Sequence, residues 1–460
     1  MKALPRVPQN KNVNCNQRAL SWSTMFEVRD KPQMVEKALL VRICFDKREE
    51  EESRSLLAEL GELVKTLGIG VGDTELIRTR KRHKKFLCGT GKAAEVSGYA
   101  REIGCDCIVF DNELAPSQLR EWEEAADMTV IDREEVILDI FARRAQTKEA
   151  RLQVKLARME YALPRMARMW GHLDREGGGG SGGSAAARGM GEQQIEVDRR
   201  LARKRIDRIK ADLELVRKQR ATQRKERQKM ESPHAAIVGY TNAGKSTLLN
   251  TLTGSDVFEA DMLFATLDPT TRRIDLPDGQ ELLLTDTVGF VRNLPHRLVE
   301  AFKATLEEAV LADFLVHVMD ASEPELERLS GTTLEVMAEL GAADKPVLTV
   351  LNKVDLVEDP QRLSALQAMY PDAISLSAKS GAGMDTLKHK FIEYLSRHVS
   401  RRRYKIPQHR GDLVSLLHAE AKVLETVYEG NDVVVEALVT NEVEGRLRSL
   451  GEIAVVEESF

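Results

Sequence analysis

The sequence predicts a multidomain α/β protein: two domains with parallel sheets, a helical hairpin between them and a small carboxy-terminal α/β appendage. The chain has 460 residues, which corresponds to about three domains at roughly 150 residues each. Short apolar runs alternate with amphipathic stretches in two separate regions, as is typical of strands and helices around a parallel sheet. Between those regions the apolar period changes to that of long packed helices.

Composition places the chain among ordinary globular proteins. Apolar residues make up 42% and charged residues 31%, which excludes a disordered, collagen-like or disulfide-stapled chain. No run of 18 uncharged apolar residues occurs, so no membrane-spanning helix is predicted. The cysteines form no CxxC pair, which argues for a reducing compartment, and we expect a cytoplasmic protein. The five cysteines are Cys15, Cys44, Cys88, Cys105 and Cys107.

We expect residues 1–37 to form a disordered tail. The first 25 residues contain basic but no acidic side chains, and they lack the apolar segment of a secretory signal. A short organellar transit peptide is the alternative, as is a true start at Met25. An organellar location therefore stays open.

Residues 38–146 are predicted to form the first α/β domain. Its apolar runs and amphipathic stretches follow in the order strand, helix, strand, helix, strand, which favours a mainly parallel sheet. The predicted strands are residues 38–45, 106–110 and 128–131, and the predicted helices are residues 55–67 and 117–126.

Residues 147–230 are predicted to form an antiparallel hairpin of two long helices. Apolar residues recur at alternating intervals of four and three in two stripes, and a glycine-rich loop, residues 177–191, separates them. Pro164 should kink the first helix. The alternatives are an ordinary core and a plain linker. The stripes are Leu152, Leu156, Met159, Leu163, Met166 and Trp170, then Ala202, Ile206, Ile209, Leu213 and Val216.

The second helix is strongly basic, although the whole chain carries a net charge of −5. Residues 196–229 contain 14 Lys or Arg and 6 Asp or Glu, a net charge of +8. Such a helix is either a solvated face or a surface that follows a phosphate backbone, and the excess of one sign favours the second. Without interleaved aromatic residues, RNA would be bound through its backbone charge. The candidate contacts are Arg217, Lys218 and Arg220.

Residues 231–400 are predicted to form the second α/β domain, and residues 405–460 a small carboxy-terminal domain. A basic run, residues 397–405, and Pro407 mark the boundary. The appendage is predicted to contain a helix or strand at residues 412–421, a strand at 432–439 and a helix at 441–450.

The start of the second α/β domain carries a phosphate-binding pattern. In the stretch AAIVGYTNAGKST, residues 235–247, Gly239, Gly244, Lys245 and Ser246 have the G-x-x-x-x-G-K-[ST] spacing of a P-loop. The glycines let backbone N–H groups turn toward phosphate oxygens, and the helix that follows adds its positive dipole end. Lys245 should reach the β- and γ-phosphates, and Ser246 should bind magnesium. This predicts a P-loop nucleotide-binding domain with a Ras-like parallel sheet.

Three more motifs follow at predicted strand ends and identify the base. In Asp286-Thr287-Val288-Gly289, the acid can hold magnesium through water and the glycine N–H can sense the γ-phosphate. In Asn352-Lys353-Val354-Asp355, the last carboxylate can accept from guanine N1–H and N2–H₂, a donor pair that adenine lacks. A backbone N–H of Ser377-Ala378-Lys379 can reach guanine O6. Together, in this order, the motifs predict a GTP site rather than an ATP site.

A threonine between the P-loop and Asp286 should complete the magnesium shell. While the γ-phosphate is present the threonine can bind the metal, and hydrolysis then releases its loop. Thr266 in FATLDPTT, residues 264–271, is our choice, with Thr270 and Thr271 as alternatives on spacing alone.

Hydrolysis by the free protein is predicted to be slow. Phe290 follows Gly289 directly, at the place where Ras-like enzymes carry the glutamine that orients the attacking water. Either a partner that orders the loops or a monovalent cation could substitute. Asn242 is the candidate potassium ligand, by resemblance to other GTPases with asparagine there, and the alternative is that it only caps the loop.

The predicted site divides by role. The catalytic residues are Lys245, Thr266, Gly289 and Phe290, and the magnesium ligands are Ser246, Thr266 and, through water, Asp286. The GTP-binding residues are Gly239, Tyr240, Thr241, Asn242, Ala243, Gly244, Lys245, Ser246, Phe264, Ala265, Thr266, Leu267, Asp268, Asp286, Thr287, Val288, Gly289, Asn352, Lys353, Val354, Asp355, Ser377, Ala378 and Lys379.

The motif set resembles the translational GTPase class, and the wider chain resembles the HflX family. The resemblance rests on residues 88–96, 110–120, 130–165, 188–200 and 263–272, which include CGTGKAAEV, VIDREEVILDIFARRAQTKEAR and RGMGEQQIEVDRR. It implies an amino-terminal α/β subdomain, a helical hairpin, a GTPase domain and, in some members, a small carboxy-terminal domain. It also implies binding to the large ribosomal subunit and splitting of stalled or idle ribosomes. One departure is Met190, where the family would lead us to expect proline, after the simple loop GGGGSGGSAAA.

We therefore expect a monomeric, ribosome-stimulated GTPase that binds the large ribosomal subunit and its RNA. The alternative is an RNA-binding scaffold in which the nucleotide site is a slow switch, and a weaker one is a GTPase of tRNA modification or iron transport. Gly89-Thr-Gly91-Lys92 could suggest a second nucleotide site, but a plain turn is favoured. Cys105 and Cys107 favour packing over metal binding, and the histidines show no metal spacing.

Overall fold

The computed structural model describes residues 35–165, 185–228, 233–254, 263–294, 306, 308–396, 399–451 and 453–456. The chain divides into two compact units between Val136 and Ile137. Most of the predicted tail, residues 177–184 of the glycine-rich loop, Met166, Trp170 and the side chain of Arg220 lie outside the described part of the chain. No described helix is both long and apolar enough to span a bilayer.

The first unit is a four-stranded parallel sheet in the order β2-β1-β3-β4. Strand β1 is buried almost along its whole length, the pattern expected of a parallel strand between two covered faces. The core of this unit includes Leu39, Val41, Phe110 and Trp122. The elements are β1 Lys37–Cys44, α1 Glu50–Thr66, β2 Gly70–Arg78, α2 Thr90–Glu102, β3 Cys107–Phe110, α3 Pro116–Ala126 and β4 Thr129–Asp132.

Three helices follow: α4 Arg133–Arg144, α5 Lys148–Ala162 and α6 Ala185–Gln228. Thr147 is the N-cap of α5, and its Oγ1 accepts from the N–H of Ala150 at 3.1 Å, which satisfies one of the free donors at the helix start. Helix α5 ends before Pro164, which lies in a short 3₁₀ turn, Leu163–Arg165. The regular α-helix is thus interrupted at the proline, and the residues after Arg165 that would test the predicted kink lie outside the described part of the chain. Helix α6 packs against α5, and it already includes residues 185–191 of the predicted loop.

The two predicted stripes have different outcomes. On α6 the stripe is confirmed at Ala202, Ile206, Ile209 and Leu213, which are buried, whereas its last member, Val216, is half-buried. On α5 it is wrong, because its large apolar residues, such as Leu152 and Leu156, are only half-buried. The buried face of α5 consists of smaller and polar side chains. It is formed by Glu149, Ala150, Gln153, Val154, Ala157 and Tyr161.

The second sheet has six strands in the order β10-β9-β8-β5-β7-β6. All neighbouring pairs are parallel except the edge pair of β6 and β7. The carboxyl ends of the parallel strands therefore meet at one edge, where loops of an open α/β sheet bind ligands. The elements are β5 His234–Gly239, α7 Lys245–Thr253, β6 Thr270–Asp275, β7 Glu281–Asp286, β8 Phe314–Asp320, α8 Leu326–Glu339, β9 Val347–Asn352, α9 Pro360–Met369, β10 Ile374–Ser375 and α10 Met384–Ser396.

The carboxy-terminal part is an antiparallel sheet in the order β12-β13-β11-β14, with two helices. The chain order of these elements is that of a split β-α-β unit. Tyr404, Ile406 and Val435 of the sheet form a core with Leu413 and Leu447 of the helices. The elements are β11 Val399–Pro407, α11 Gly411–Glu420, β12 Lys422–Glu429, β13 Asp432–Thr440, α12 Asn441–Leu450 and β14 Ala454–Val456.

Candidate nucleotide-binding site

The P-loop joins β5 to α7, and its two glycines are required by contact and by backbone conformation. A Cβ atom on Gly239 would lie 2.3 Å from the carbonyl oxygen of Val318, and one on Gly244 would lie 2.2 Å from Nδ2 of Asn352. Gly244 has φ +90°, which glycine adopts without strain. Helix α7 begins directly after it, at Lys245. The loop thus delivers its N–H groups and the helix N-terminus to one point, the arrangement that binds phosphate.

Lys245 is buried inside this loop. Its Nζ donates to the carbonyl oxygen of Tyr240 at 2.8 Å. Burial lowers the pKa of Lys245 to about 8, while the nearby charge of Asp286 acts in the opposite direction. An anionic phosphate at this point would favour the charged form of the lysine.

Three oxygen-bearing side chains meet beside the P-loop. The hydroxyl of Ser246 donates to Oδ2 of Asp286 at 2.6 Å, and that of Thr266 donates to the same oxygen at 2.9 Å. The two hydroxyl oxygens are 2.7 Å apart. Burial raises the pKa of Asp286, and its Oδ1 has no hydrogen-bond partner among the described residues. This set of hard oxygen ligands, with one carboxylate oxygen still unpaired, fits a magnesium ion.

The structure distinguishes among the three candidate threonines. Thr266 meets Ser246 and Asp286, as described. Thr270 lies in β6, paired in register with Asp286, and Thr271 makes a hydroxyl contact of 2.8 Å with Thr285. Only Thr266 among them joins the predicted magnesium ligands through its side chain.

The switch loop, residues 263–268, contacts the P-loop and also the helical segment formed by α4 and the start of α5. The N–H of Phe264 donates to Oγ1 of Thr241 at 2.9 Å. The ring of Phe264 packs edge-on against that of Phe141 in α4, with centroids 4.6 Å apart. The carboxylate of Asp268 accepts from the N–H groups of Gln146 at 2.8 Å and Thr147 at 3.1 Å, and from the Thr147 hydroxyl. Asp268, predicted to bind GTP, thus has its carboxylate bound to the start of α5.

The segment after β7 is bonded to the P-loop through its backbone. Phe290 donates its N–H to Gly239 at 3.2 Å, and its carbonyl oxygen accepts from Thr241 at 2.8 Å. A Cβ atom on Gly289 would lie 2.7 Å from Cα of Thr241 and 2.9 Å from Nζ of Lys245, so only glycine fits there. The Phe290 ring is 2% exposed and has no polar atom to orient water.

The two loops predicted to recognise the base are joined to the P-loop by one side chain. Nδ2 of Asn352 donates to the carbonyl oxygen of Ala243 at 2.8 Å, and its Oδ1 accepts from the N–H of Ala378 at 2.9 Å. Asp355 and Lys379 are exposed beside them. Asn352 therefore holds the phosphate loop and the two base loops together, which leaves Asp355 as the carboxylate available to a base.

Four further predicted positions make contacts or adopt conformations that the structure defines. Thr287 donates its hydroxyl to the carbonyl oxygen of Ile237 at 2.7 Å, and Val288 is buried. Lys353 has φ +60° and forms an ion pair with Asp320 at 2.8 Å. Asn242 is exposed at φ +61°.

Two other sequence features have ordinary structural roles. Residues 90–92 form the first turn of α2, and Lys92 forms ion pairs of 3.2 Å with Glu75 and Glu95. Cys105 and Cys107 are buried thiols. In the described part of the chain, no group of three or more His, Cys, Asp or Glu could hold a metal ion.

Sequence reasoning missed the contacts of Phe141, Gln146 and Thr147 with the switch loop. The only local feature that pointed to them was a threonine before the helix start KEAR, which is typical of an N-cap. Nothing in that pattern specifies a second acceptor more than 100 positions away in the sequence.

Comparison with known proteins places this chain among GTP-binding proteins. Three family models match the chain: "GTP-binding GTPase N-terminal" over residues 54–142, "GTP-binding GTPase Middle Region" over 144–227 and "50S ribosome-binding GTPase" over 234–353. A relative from Akkermansia muciniphila, GTPase HflX, is 58% identical over 421 residues, which cover 90% of this chain and 96% of the relative.

The chain belongs to the HflX family of GTPases. The Escherichia coli GTPase HflX is 42% identical over 381 residues, which cover 83% of this chain and 88% of that protein. A crystal structure of a GTP-binding protein from Sulfolobus solfataricus in complex with GDP is similar over 79% of this chain and 99% of that chain, with 24% identity and a TM-score of 0.42. The predicted HflX resemblance and GTP hydrolysis as the activity are confirmed by the relatives and family models. The predicted fold class is confirmed by the sheets of the structure itself.

Proposed function

We propose that this HflX GTPase binds the large ribosomal subunit, that its nucleotide state controls that binding, and that it splits stalled or idle ribosomes. The observation that carries the proposal is the connection between the GTP site and the hairpin. The switch loop is hydrogen-bonded to Gln146 and Thr147, which directly precede α5, and α5 packs against the basic helix α6. The description of the matched GTPase family model, 50S ribosome-binding GTPase, supports the choice of partner.

Helix α6 is the surface we propose for ribosomal RNA. Arg200, Arg203 and Lys204 are exposed on it. The side chain of Arg217 is 39% exposed and forms an ion pair of 3.2 Å with Glu214. Exposed positive charge on a long helix suits sequence-independent contact with phosphates, and such contact weakens as salt rises.

At the GTP site each side chain would have a defined task. Magnesium would be held by Ser246, Thr266 and, through water, Asp286, and it would neutralise charge on the β- and γ-phosphates. Lys245 would supply a second positive charge, and the N–H of Gly289 would bind the γ-phosphate. Asp355 would select guanine.

We further propose that free hydrolysis is slow, because Phe290 offers no hydrogen bond to the attacking water. Potassium at Asn242 or ordering of the loops by the ribosome would compensate. Hydrolysis rates in sodium against potassium, for the parent and Asn242→Ala, test the cation: only the parent should be faster in potassium. Equal rates in both salts would leave Asn242 as a loop cap.

Sedimentation through sucrose gradients tests the main proposal. Large subunits and intact ribosomes are each mixed with the protein and GDP, GTP or a non-hydrolysable GTP analogue. We expect co-sedimentation with large subunits in the analogue but not in GDP, and conversion of intact ribosomes to subunits in the triphosphate forms. Equal binding in all three nucleotides would contradict nucleotide control.

A second candidate is a slow, nucleotide-switched RNA-binding scaffold with little turnover. The buried Phe290 is the observation that favours it. In both candidates the protein binds RNA. For both, we expect a monomer that acts on ribosomes in the cytoplasm. They differ in whether large subunits accelerate hydrolysis.

A further inference from the structure

We propose that Asp268 and Thr147 are positioning residues for GTP hydrolysis, which hold Thr266 at the magnesium site by fixing the switch loop to the N-terminus of α5. This inference rests on the proposed role of Thr266 as a magnesium ligand, and it does not depend on the ribosomal proposal. It starts from the carboxylate of Asp268, which accepts three hydrogen bonds from two consecutive residues, Gln146 and Thr147.

The hydrogen-bond directions at Thr147 are determined by its donors and acceptors. Its Oγ1 accepts from the N–H of Ala150 as the N-cap of α5. Its one hydroxyl proton is therefore available to Asp268, the nearby carboxylate acceptor. A negative charge at a helix N-terminus also interacts favourably with the helix dipole. Asp268 thus forms part of the helix cap, although it comes from a loop of the GTPase domain.

The other end of the switch loop is held by the same helical segment. Phe264 is 1% exposed, and its ring packs against Phe141 of α4. Its φ of +56° is unusual for a residue other than glycine, and the hydrogen bond to Thr241 helps to maintain it. Residues 141–147 therefore contact the switch loop on both sides of Thr266.

Thr266 lies between these two anchors, two residues from each. Its hydroxyl is within 2.9 Å of Asp286 Oδ2 and 2.7 Å of Ser246 Oγ. Displacement of residue 264 or residue 268 would carry the hydroxyl away from the metal ligands, and small misplacements of this kind reduce rates strongly. Because coupling between two sites is reciprocal, a triphosphate that draws Thr266 to magnesium should also stabilise the contact with α5.

The test compares the parent with Asp268→Ala, Thr147→Val and Thr147→Ser. For each, kcat and KM are measured, together with the dissociation constants of GDP and of a non-hydrolysable GTP analogue in magnesium. Valine keeps the shape of threonine but removes its hydroxyl, whereas serine keeps the hydroxyl. Asp359→Ala is the matched control, because Asp359 caps α9 by accepting from Gln361 at 2.9 Å and does not touch the switch loop.

We expect Asp268→Ala and Thr147→Val to lower kcat by about tenfold or more. Both should weaken the binding of the analogue by about fivefold or more relative to the binding of GDP, because in this proposal Thr266 binds magnesium only when the γ-phosphate is present. Thr147→Ser should keep kcat and the ratio of the analogue to the GDP dissociation constant within about twofold of the parent. Asp359→Ala should leave that ratio unchanged.

Two results would overturn the proposal. One is that Thr147→Val has the same kcat as Thr147→Ser and the same ratio of the analogue dissociation constant to the GDP dissociation constant. The other is an equal loss of GDP and analogue affinity, which would indicate only general damage to the fold. If Asp268→Ala does not fold, the comparison of valine with serine at residue 147 decides.

Discussion

Replacing Asn352 with alanine should weaken the binding of every guanine nucleotide, because one buried amide connects the phosphate loop to the base loops. Its two hydrogen bonds go to the backbone of Ala243 and of Ala378. All three residues are almost inaccessible to water, with exposures of 1% for Asn352 and 2% for each alanine. Water therefore cannot readily replace the lost amide.

The magnitude follows from the two backbone groups left without a partner. Each buried, unpaired group costs about 1–3 kcal/mol, so the ligand-competent arrangement of the loops should lose about 2–6 kcal/mol. If only the lower value appears in binding, the dissociation constant of GDP rises by more than about tenfold. GTP should be affected to the same extent, because the amide contacts neither the γ-phosphate loop nor the magnesium ligands.

Isothermal titration with GDP and with a GTP analogue measures this effect. Asn112→Ala is the matched control, since Asn112 also forms two amide-to-backbone bonds, both to Ile43, at 2.7 and 3.1 Å. That change should lower stability without altering nucleotide affinity. A GDP dissociation constant for Asn352→Ala within twofold of the parent would refute the role given to this amide.

Three further predictions concern the base, the basic helix and the pH. Asp355→Asn should lower discrimination for guanine over xanthine nucleotides by about 1–3 kcal/mol, because the amide presents a donor where guanine also has one. Competition binding with the two nucleotides measures this discrimination, and an unchanged GTP affinity would contradict the role of Asp355. Reversing the charges of Arg217, Lys218 and Arg220 together should weaken ribosome binding and flatten its salt dependence while GTP affinity hardly moves; if binding and salt slope both survive, the helix is only a solvated face. The pKa of Lys245 is lowered to about 8, so its charged, phosphate-binding form is lost as the pH rises through that value. The GTP dissociation constant should then increase by about fourfold between pH 7 and pH 8.5, and a constant value, measured by titration at both pH values, would show that the lysine remains charged.

The GTP site was largely predictable because its chemistry is local. Residues 239–246 need a fixed spacing to wrap a phosphate, and the contacts at Gly239 and Gly244 explain why those two positions must be glycine. The motifs that contain Asp286 and Asn352 lie at strand ends, and parallel strands bring such ends to one edge of the sheet. Spacing alone could not choose among the threonines, because that choice depends on the path of the switch loop.

The hairpin was less predictable because close helix packing often uses small or polar residues. On α6 the buried stripe consists mostly of large apolar residues, and a heptad search finds it. On α5 the buried face includes Ala150 and Ala157, which a search for large apolar residues passes over. The contact between Asp268 and Thr147 was not predictable either, since a helix cap normally comes from the helix's own neighbourhood.

The most direct test of the central proposal is the rate of GTP hydrolysis with and without large ribosomal subunits. The protein alone is compared with the protein plus purified large subunits, and with the variant in which Arg217, Lys218 and Arg220 are reversed. Ordering of the switch loop by the ribosome should accelerate hydrolysis by at least about tenfold in the parent, and the variant should lose most of that acceleration at equal subunit concentration. Equal rates for the parent with and without subunits would contradict a ribosome-activated GTPase and favour the slow scaffold.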